Sequence, residues 1–394
     1  MTSLVMRVGH ETQYLADIEN VRFRIRVSSA LEAFDDHWPR RLRMREAACS
    51  IFQCAELIDI WLETVGSARR TCQLFVGVYD ADGRPLVLLP LGIERHRGVR
   101  LLTFLDGTVV DYNQPILFPA AHAIDPAAWS EIWDMIVRAL PDFDAAIFDR
   151  MPERVGALPN PLVPPGSVPL PVSGHVMGLA GSDADIEARL PHRKRRNRLL
   201  RQLSGQGSIA FEVAGSVAEA EAFLQQVLTG KARQFARTRV PGFEVPGKRA
   251  FYLAATQRLM CPETVHVSAL TVGGAVVACH WGLILEGRFY LILTTYDADW
   301  KRFSPGAIHH EALIRWCHAR GMAAFDFGVG DEAYKGDYCD TRIPLHRVEI
   351  SLSRRGRIYL AVERGMAWMR STSVWELLRP LKWIAVRAVR RTKA

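Results

Sequence analysis

The spacing of apolar residues changes period several times along the chain, and each change marks an element. IFQCAELIDIWLETV (51–65) carries apolar residues at helical spacing. QLFVGVYDADGRPLVLLPLGI (73–93) reads as two strands about a turn at 80–83, and VRLLTFL (99–105) follows as another strand. AAWSEIWDMIVRAL (127–140) predicts an amphipathic helix with Trp129, Trp133, Ile136, Val137 and Leu140 on one stripe, and AAIFDRM (145–151) a short strand. Residues 1–40 show no strong pattern, and the arginine-rich stretch 22–45 is left unassigned.

The proline-rich segment 152–171 fixes φ repeatedly and disfavours helix, so it predicts a stiff linker or an ordered crossover between two halves. Beyond it the pattern predicts helices at about 183–204, 216–236 and 248–260. VHVSALTV, AVVACHWGLIL and RFYLILTTYD then form a three-strand meander joined by Gly-Gly and Glu-Gly turns. A helix follows the tripeptide Ser304-Pro305-Gly306 and stops at Gly321, and MAAFDFGV (322–329) is the next strand. The first half repeats this order of elements in shorter form, which suggests a degenerate duplication. The expected fold class is α/β (α+β). Its divisions are an N-terminal unit over 1–165, a second unit over 166–345, and a basic strand and amphipathic tail over 346–394.

Composition changes this picture little except in charge. The seven cysteines are scattered without a CxxC pair, so neither a disulfide framework nor a zinc ribbon is expected, and no metal. No apolar run is long enough to span a membrane and the N-terminus lacks a signal-peptide layout, so the expected location is cytoplasmic. Of the net charge of +8, the stretch from Arg354 onward contributes eleven Lys/Arg against two Asp/Glu, leaving the rest of the chain near neutrality. In that tail Val374, Leu378, Leu381, Ala385 and Ala388 form an apolar stripe beside Trp375 and Trp383. The pattern fits a helix lying on an anionic membrane face, or one packed on the body. A second basic run, HRKRRNRLLR (192–201), reads as a solvated helix face, with RNA, a CoA 3′-phosphate or an anionic surface as the alternatives.

DFGVGDEAYKG (326–336) suggests a kinase triplet or a phosphate loop, and both fail. No HRD precedes the DFG, and Lys335 is followed by Gly336 where a phosphate loop requires Ser or Thr. A better phosphate seat lies upstream. Ser304 suits an N-cap, Pro305 the first helical position, and Gly306 keeps the backbone accessible at a helix N-terminus.

This strand, SPG loop, helix and strand, with VVA (276–278), TTYDADWKRFSPGAIHHEAL (294–313) and FDFGVGDEAYK (325–335), resembles the GNAT acyltransferase signature. With GRPLVLLPL (83–91), DYNQPIL (111–117) and MPERVGALPNPL (151–162), the chain is similar over about 45–345 to the GNAT-like family of the cellulose-biosynthesis protein CelD, related to FemAB-type transferases. The resemblance implies tandem GNAT-like domains, each a mixed sheet flanked by helices, the first degenerate. It implies acyl transfer from acetyl-CoA or another acyl-CoA to an amine, on a small molecule or a glycan- or lipid-linked acceptor in polysaccharide or cell-envelope synthesis. The rival implications are a FemAB-type transferase with aminoacyl-tRNA as donor, the one case in which nucleic acid is expected, and a non-catalytic scaffold at the inner membrane face. On this reading Ser304, Gly306, Ala307 and Ile308 supply backbone donors behind Pro305, Arg302 is a counter-charge, and Gly328 opens the chain beside the thioester. Tyr334 is the candidate acid, with a structural tyrosine as its alternative. Asp326 alternates away from Phe325 and Phe327 and either reaches the cleft or makes a buried hydrogen bond. Asp331 and Glu332 are further base candidates. Lys335 pairs with one of these acids or holds a phosphate or acceptor carboxylate, and His280 is a base or a core histidine. Asp111, Tyr112 and Asn113 recognise the acceptor or merely form a turn.

Overall fold

The computed structural model describes residues 5–8, 11–20, 22–44, 46–238, 242–260 and 264–371. The amphipathic tail stripe from Val374 lies outside them. Among the described residues no helix is long and apolar enough to cross a membrane.

The first half begins with three antiparallel strands, β1 (Val5–Val8), β2 (Glu11–Glu19) and β3 (Phe23–Ser28). The arginine-rich stretch left unassigned from sequence is thus partly a strand. In Phe-Arg-Ile-Arg-Val the arginines alternate with Phe23, Ile25 and Val27, which are buried. Helix α1 (Ala55–Trp61) continues through one wider turn into α2 (Ser67–Arg69). Strands β4 (Cys72–Asp80), β5 (Pro85–His96) and β6 (Val99–Phe104) form a meander, with the short β7 (Ile116–Leu117) against β5. Asp125 caps α3 (Pro126–Ala139) by accepting from the Ala128 N–H at 2.7 Å. This helix buries Ala128, Ile132, Met135 and Ile136, and the tryptophans predicted on its stripe sit at the border of that face. Strand β8 (Ala145–Pro152) returns parallel to β6.

The proline-rich segment is an ordered crossover. It forms a small hairpin, β9 (Arg154–Val155) with β10 (Leu158–Pro159), and buries Asn160 and Leu162 before β11 (Ser173–Gly178). The helix predicted at 183–204 is two, because Pro191 interrupts it: α4 (Asp183–Arg189) and α5 (Arg193–Ser204). Then come β12 (Ile209–Val213), α6 (Val217–Thr238) and α7 (Lys248–Leu259). The meander is β13 (Val265–Val272), β14 (Ala275–Leu285) and β15 (Arg288–Tyr296). Gly273 and Gly274 both take left-handed φ at its first turn, the twist a two-residue hairpin needs. Helix α8 (Pro305–Ala319) leads to β16 (Ala324–Val329), parallel to β15. The chain then passes through α9 (Lys335–Tyr338) into β17 (Thr341–Ser351) and α10 (Arg354–Ser371).

Each half therefore presents an antiparallel meander, a helix, and a parallel return strand. The halves are joined by exchange. Strand β11, which follows the first half, pairs with β16 of the second, and β17, which follows the second half, pairs with β8 of the first. β11 and β17 pair with each other, so one sheet runs continuously across both halves. One core is shared as well. Phe52, Trp61 and Tyr112 belong to the same apolar cluster as Phe251, Trp281 and Tyr290, and the Phe52 and Tyr290 rings meet edge to face at 5.8 Å.

Candidate active site

The chemistry-bearing residues gather where β15 and β16 part. These strands pair only from Arg288–Ala324 to Tyr290–Asp326. Beyond that, Gly328 takes φ +71°, and a Cβ there would come within 2.5 Å of the Asp111 carboxylate. A left-handed glycine thus turns β16 away from β15 and makes room for a side chain from the first half.

The closed end of the split is a buried ion pair. Asp326 is fully buried, and Arg288 donates to its Oδ2 at 2.6 Å. Its Oδ1 accepts from the Tyr112 hydroxyl at 2.9 Å and from the Gly328 N–H at 2.7 Å. Both oxygens of Asp326 are engaged, so it clamps β16 to the first half rather than offering a lone pair to the cleft. Tyr112 belongs to the same clamp. Asn113 is buried and donates to the Asp149 carbonyl at 2.9 Å, fixing the turn to β8.

The open end leads into a cavity of about 900 Å³. Ser304, Gly306, Ala307 and Ile308 line it, opposite Val276–Cys279 of β14 and Thr294–Tyr296 of β15. Pro305 is buried at the first helical position. Ser304 departs from the expected cap. Its φ is +53° and its side chain caps nothing, while its carbonyl accepts from the N–H groups of Ala307 and Ile308. Among the described residues the Gly306 N–H is the open donor of that turn. Positive charge comes from Lys301, Arg195 and Arg233 on the lining, whereas Arg302 lies outside it, stacked over Phe303. Five residues of the basic run (Arg193, Lys194, Arg195, Arg198, Arg201) are exposed on α5. The sixth is not a solvated residue, because Arg196 is buried and pairs with Glu311 at 3.0 Å and Glu187 at 3.1 Å.

A smaller polar cavity of about 210 Å³ adjoins the first. Asp111 enters it from the first half, with the Val329 N–H donating to its carboxylate. Burial raises its pKa to about 6, against the opposing pull of Arg150. Lys335 lines the same space, donating to the Gly328 carbonyl at 3.3 Å and pairing with Glu332 at 3.0 Å. Tyr334, Thr294, Glu332 and Lys231 line both cavities. The Tyr334 ring stacks on His310 at 5.6 Å, and burial pushes its phenol well above the usual range. Burial brings His310 down to about 4, so it is a neutral imidazole, with Thr294 at 3.2 Å.

Two candidates lie elsewhere. His280 is fully buried beneath α8 in a chain with His266 (3.3 Å), Ser268 (3.1 Å) and, through Ser268, His309. Burial holds it uncharged, and it lines neither cavity. Asp331 pairs with His175 at 2.7 Å, outside both cavities. His309 and His310 are both buried on the inner face of α8. Sequence reasoning missed Lys231, Lys248 and His310. The lysines lie on α6 and α7, whose patterns carry no motif. The signal for His310 was its place one turn and a half into the helix of the proposed phosphate seat.

Residues 191–336 match the family model described as Acetyltransferase (GNAT) domain. No curated protein matches the chain. Among solved structures, FemX aligns at TM-score 0.54 and 9% identity, covering 80% of this chain and 94% of its own. The C-terminal domain (DUF2156) of a putative lysylphosphatidylglycerol synthetase from Agrobacterium fabrum aligns at 0.49 and 13%, covering 78% and 95%. A tandem GNAT protein from the clavulanic acid biosynthesis pathway aligns at 0.41 and 12%, covering 82% and 92%. The split strands and the helix N-terminus at their open end lie within the stretch 191–336 that matches the GNAT domain model, and the chain shares its fold with FemX.

Proposed function

We propose that the protein is an acyl-CoA-dependent N-acyltransferase whose donor occupies the large cavity and whose acceptor amine occupies the small one. The observation that carries this is the meeting of the two cavities at the β15–β16 split, with Tyr334 and Thr294 on the wall of both. A volume of about 900 Å³ is at the upper end of small-molecule sites and suits a nucleotide-bearing co-substrate. The Gly306 N–H, the α8 dipole and Lys301 face its phosphates. Asp111 takes a proton from the acceptor ammonium, and the freed nitrogen attacks the thioester carbonyl. The tetrahedral intermediate collapses as the C–S bond breaks, Tyr334 gives its proton to the departing thiolate, and the second proton of the attacking nitrogen returns to the tyrosinate. Amide, free CoA and one proton, held by Asp111 and then passed to solvent, balance the reaction.

Acetyl-CoA stabilising the chain in a melting experiment, by about 2.7 kcal/mol at a hundredfold excess over Kd, supports the reading. Loss of that shift in Gly306→Glu, with the fold retained, assigns the seat. No shift at millimolar CoA sinks it.

The exposed arginines and lysine of α5 favour one second reading, aminoacyl-tRNA as donor. Consumption of aminoacyl-tRNA with indifference to CoA selects it. A scaffold turns over neither. The polysaccharide or cell-envelope setting, the cytoplasmic location with membrane contact through the tail, and the division at 165 and 345 belong to the same proposal and rest on the CelD resemblance and the chain's patterning.

A further inference from the structure

The small cavity holds more positive charge than the transfer reaction needs. Lys248 is the first residue of α7 and is only 7% exposed. A cation at that position opposes the helix dipole, and burial adds a desolvation cost. No carboxylate pairs with it among the described residues. Its ammonium lies over the rings of Phe235 (5.4 Å) and Phe243 (6.0 Å), while its side chain lines the cavity. Lys231, on α6, repeats the pattern. It lines the same cavity, lies over Phe235 at 5.8 Å, and has no ion-pair partner among the described residues. Lys335 is different, being paired with Glu332. With that pair set aside, two ammonium groups face a space whose remaining acid is Asp111. Packing does not explain them, because methionine would fill the same volume without the charge. Lys231 is held below the usual lysine range, chiefly by burial, which agrees with a site lacking its counter-ion.

We propose that this cavity selects acceptor amines that also carry an anionic group, a carboxylate or a phosphate, a few bonds from the reacting nitrogen. Lys231 and Lys248 receive the anion, and Asp111 faces the ammonium. The inference rests on the acyltransferase reading and adds the acceptor's chemical class to it. The site is therefore built for the zwitterionic end of an acceptor, whatever is attached beyond it.

The test is a matched panel with the full chain and acetyl-CoA: L-alanine against ethylamine, L-lysine against 1,5-diaminopentane, and 2-aminoethyl phosphate against ethanolamine. The anionic member of at least one pair is expected to show a kcat/KM higher by roughly 10- to 100-fold, the range of a charged hydrogen bond. Which pair separates most tells carboxylate from phosphate. Lys248→Met and Lys231→Met are each expected to lower kcat/KM for the anionic member of a pair, through KM, by roughly 10- to 100-fold more than for its neutral partner. Both variants keep the buried stem and remove an unpaired charge, so they are expected to melt no lower than the parent. Equal use of both members of every pair, or an equal loss for both in the methionine variants, overturns the proposal. If no amine turns over, the acyltransferase reading fails separately. The same anionic probes then decide by melting shift, where stabilisation lost in Lys248→Met upholds the anion site and its absence with every probe refutes it.

Discussion

Replacing Asp111 by asparagine separates catalysis from stability at one residue. The carboxylate lies in a cavity that raises its pKa from 3.8 to about 6, with burial as the largest cause. Because the folded value lies above the unfolded one, the stability this group contributes is fully present below pH 3.8 and is lost as pH rises through 6. The rise is worth up to about 3 kcal/mol at 1.36 kcal/mol per unit, as a penalty on the folded state above pH 6. The amide of Asp111→Asn retains an oxygen for the Val329 N–H and cannot ionise. The variant is therefore expected to melt a few degrees higher than the parent at pH 8, and at the same temperature near pH 4. Activity runs the other way. In a thiol-release assay the parent's kcat/KM is expected to rise with pH to a plateau above about 6, whereas the variant loses roughly 10²- to 10⁴-fold and the inflection with it. A variant within threefold of the parent, or a parent profile flat between pH 5 and 7, would refute Asp111 as the base. Unchanged melting at pH 8 would refute its burial as a charge.

Tyr334→Phe keeps the stack on His310 and removes the proton. Its kcat is expected to fall about 100-fold with the KM for acetyl-CoA unchanged, and full activity would leave Tyr334 a structural ring. Asp326→Ala strips Arg288 of its partner and is expected to cost about 3 kcal/mol in urea unfolding, at the lower end because Arg288 is a third exposed. Tyr112→Phe, which removes one hydrogen bond to that carboxylate, is expected to cost about 1.5 kcal/mol, and losses below about 0.5 kcal/mol in both variants would contradict the clamp.

The second-half elements were legible because each carries its signal locally: a glycine pair for the hairpin, a proline at a helix start, an alternation in AFDFGV. The candidate site was less so. Asp111 and Gly328 are 217 positions apart, and only the fold shows that a Cβ on one would strike the other. Asp326 was correctly seen as pointing away from its phenylalanines. Nothing local to it distinguishes a base from a counter-ion, because its partners Arg288 and Tyr112 come from two other elements. Lys231 and Lys248 were invisible for a related reason. A lysine in a helical pattern reads as surface, and only packing against Phe235 and Phe243 turns these two inward. The strand Phe23–Ser28, by contrast, was readable by its alternation and was hidden by its arginines.

The exchange of β11 and β17 carries a consequence for how the chain comes into being. Pro152 finds its partner at Leu345, so the first half leaves a ribosome with one sheet edge waiting for β17, which follows the second half. Non-local pairing of this kind is slow, and an open edge is a template for wrong partners until it closes. Gene fragments cut between the halves should accordingly yield insoluble pieces when made separately and a working protein when co-expressed. The pairing of β17 with β8 therefore waits until the second half has been made.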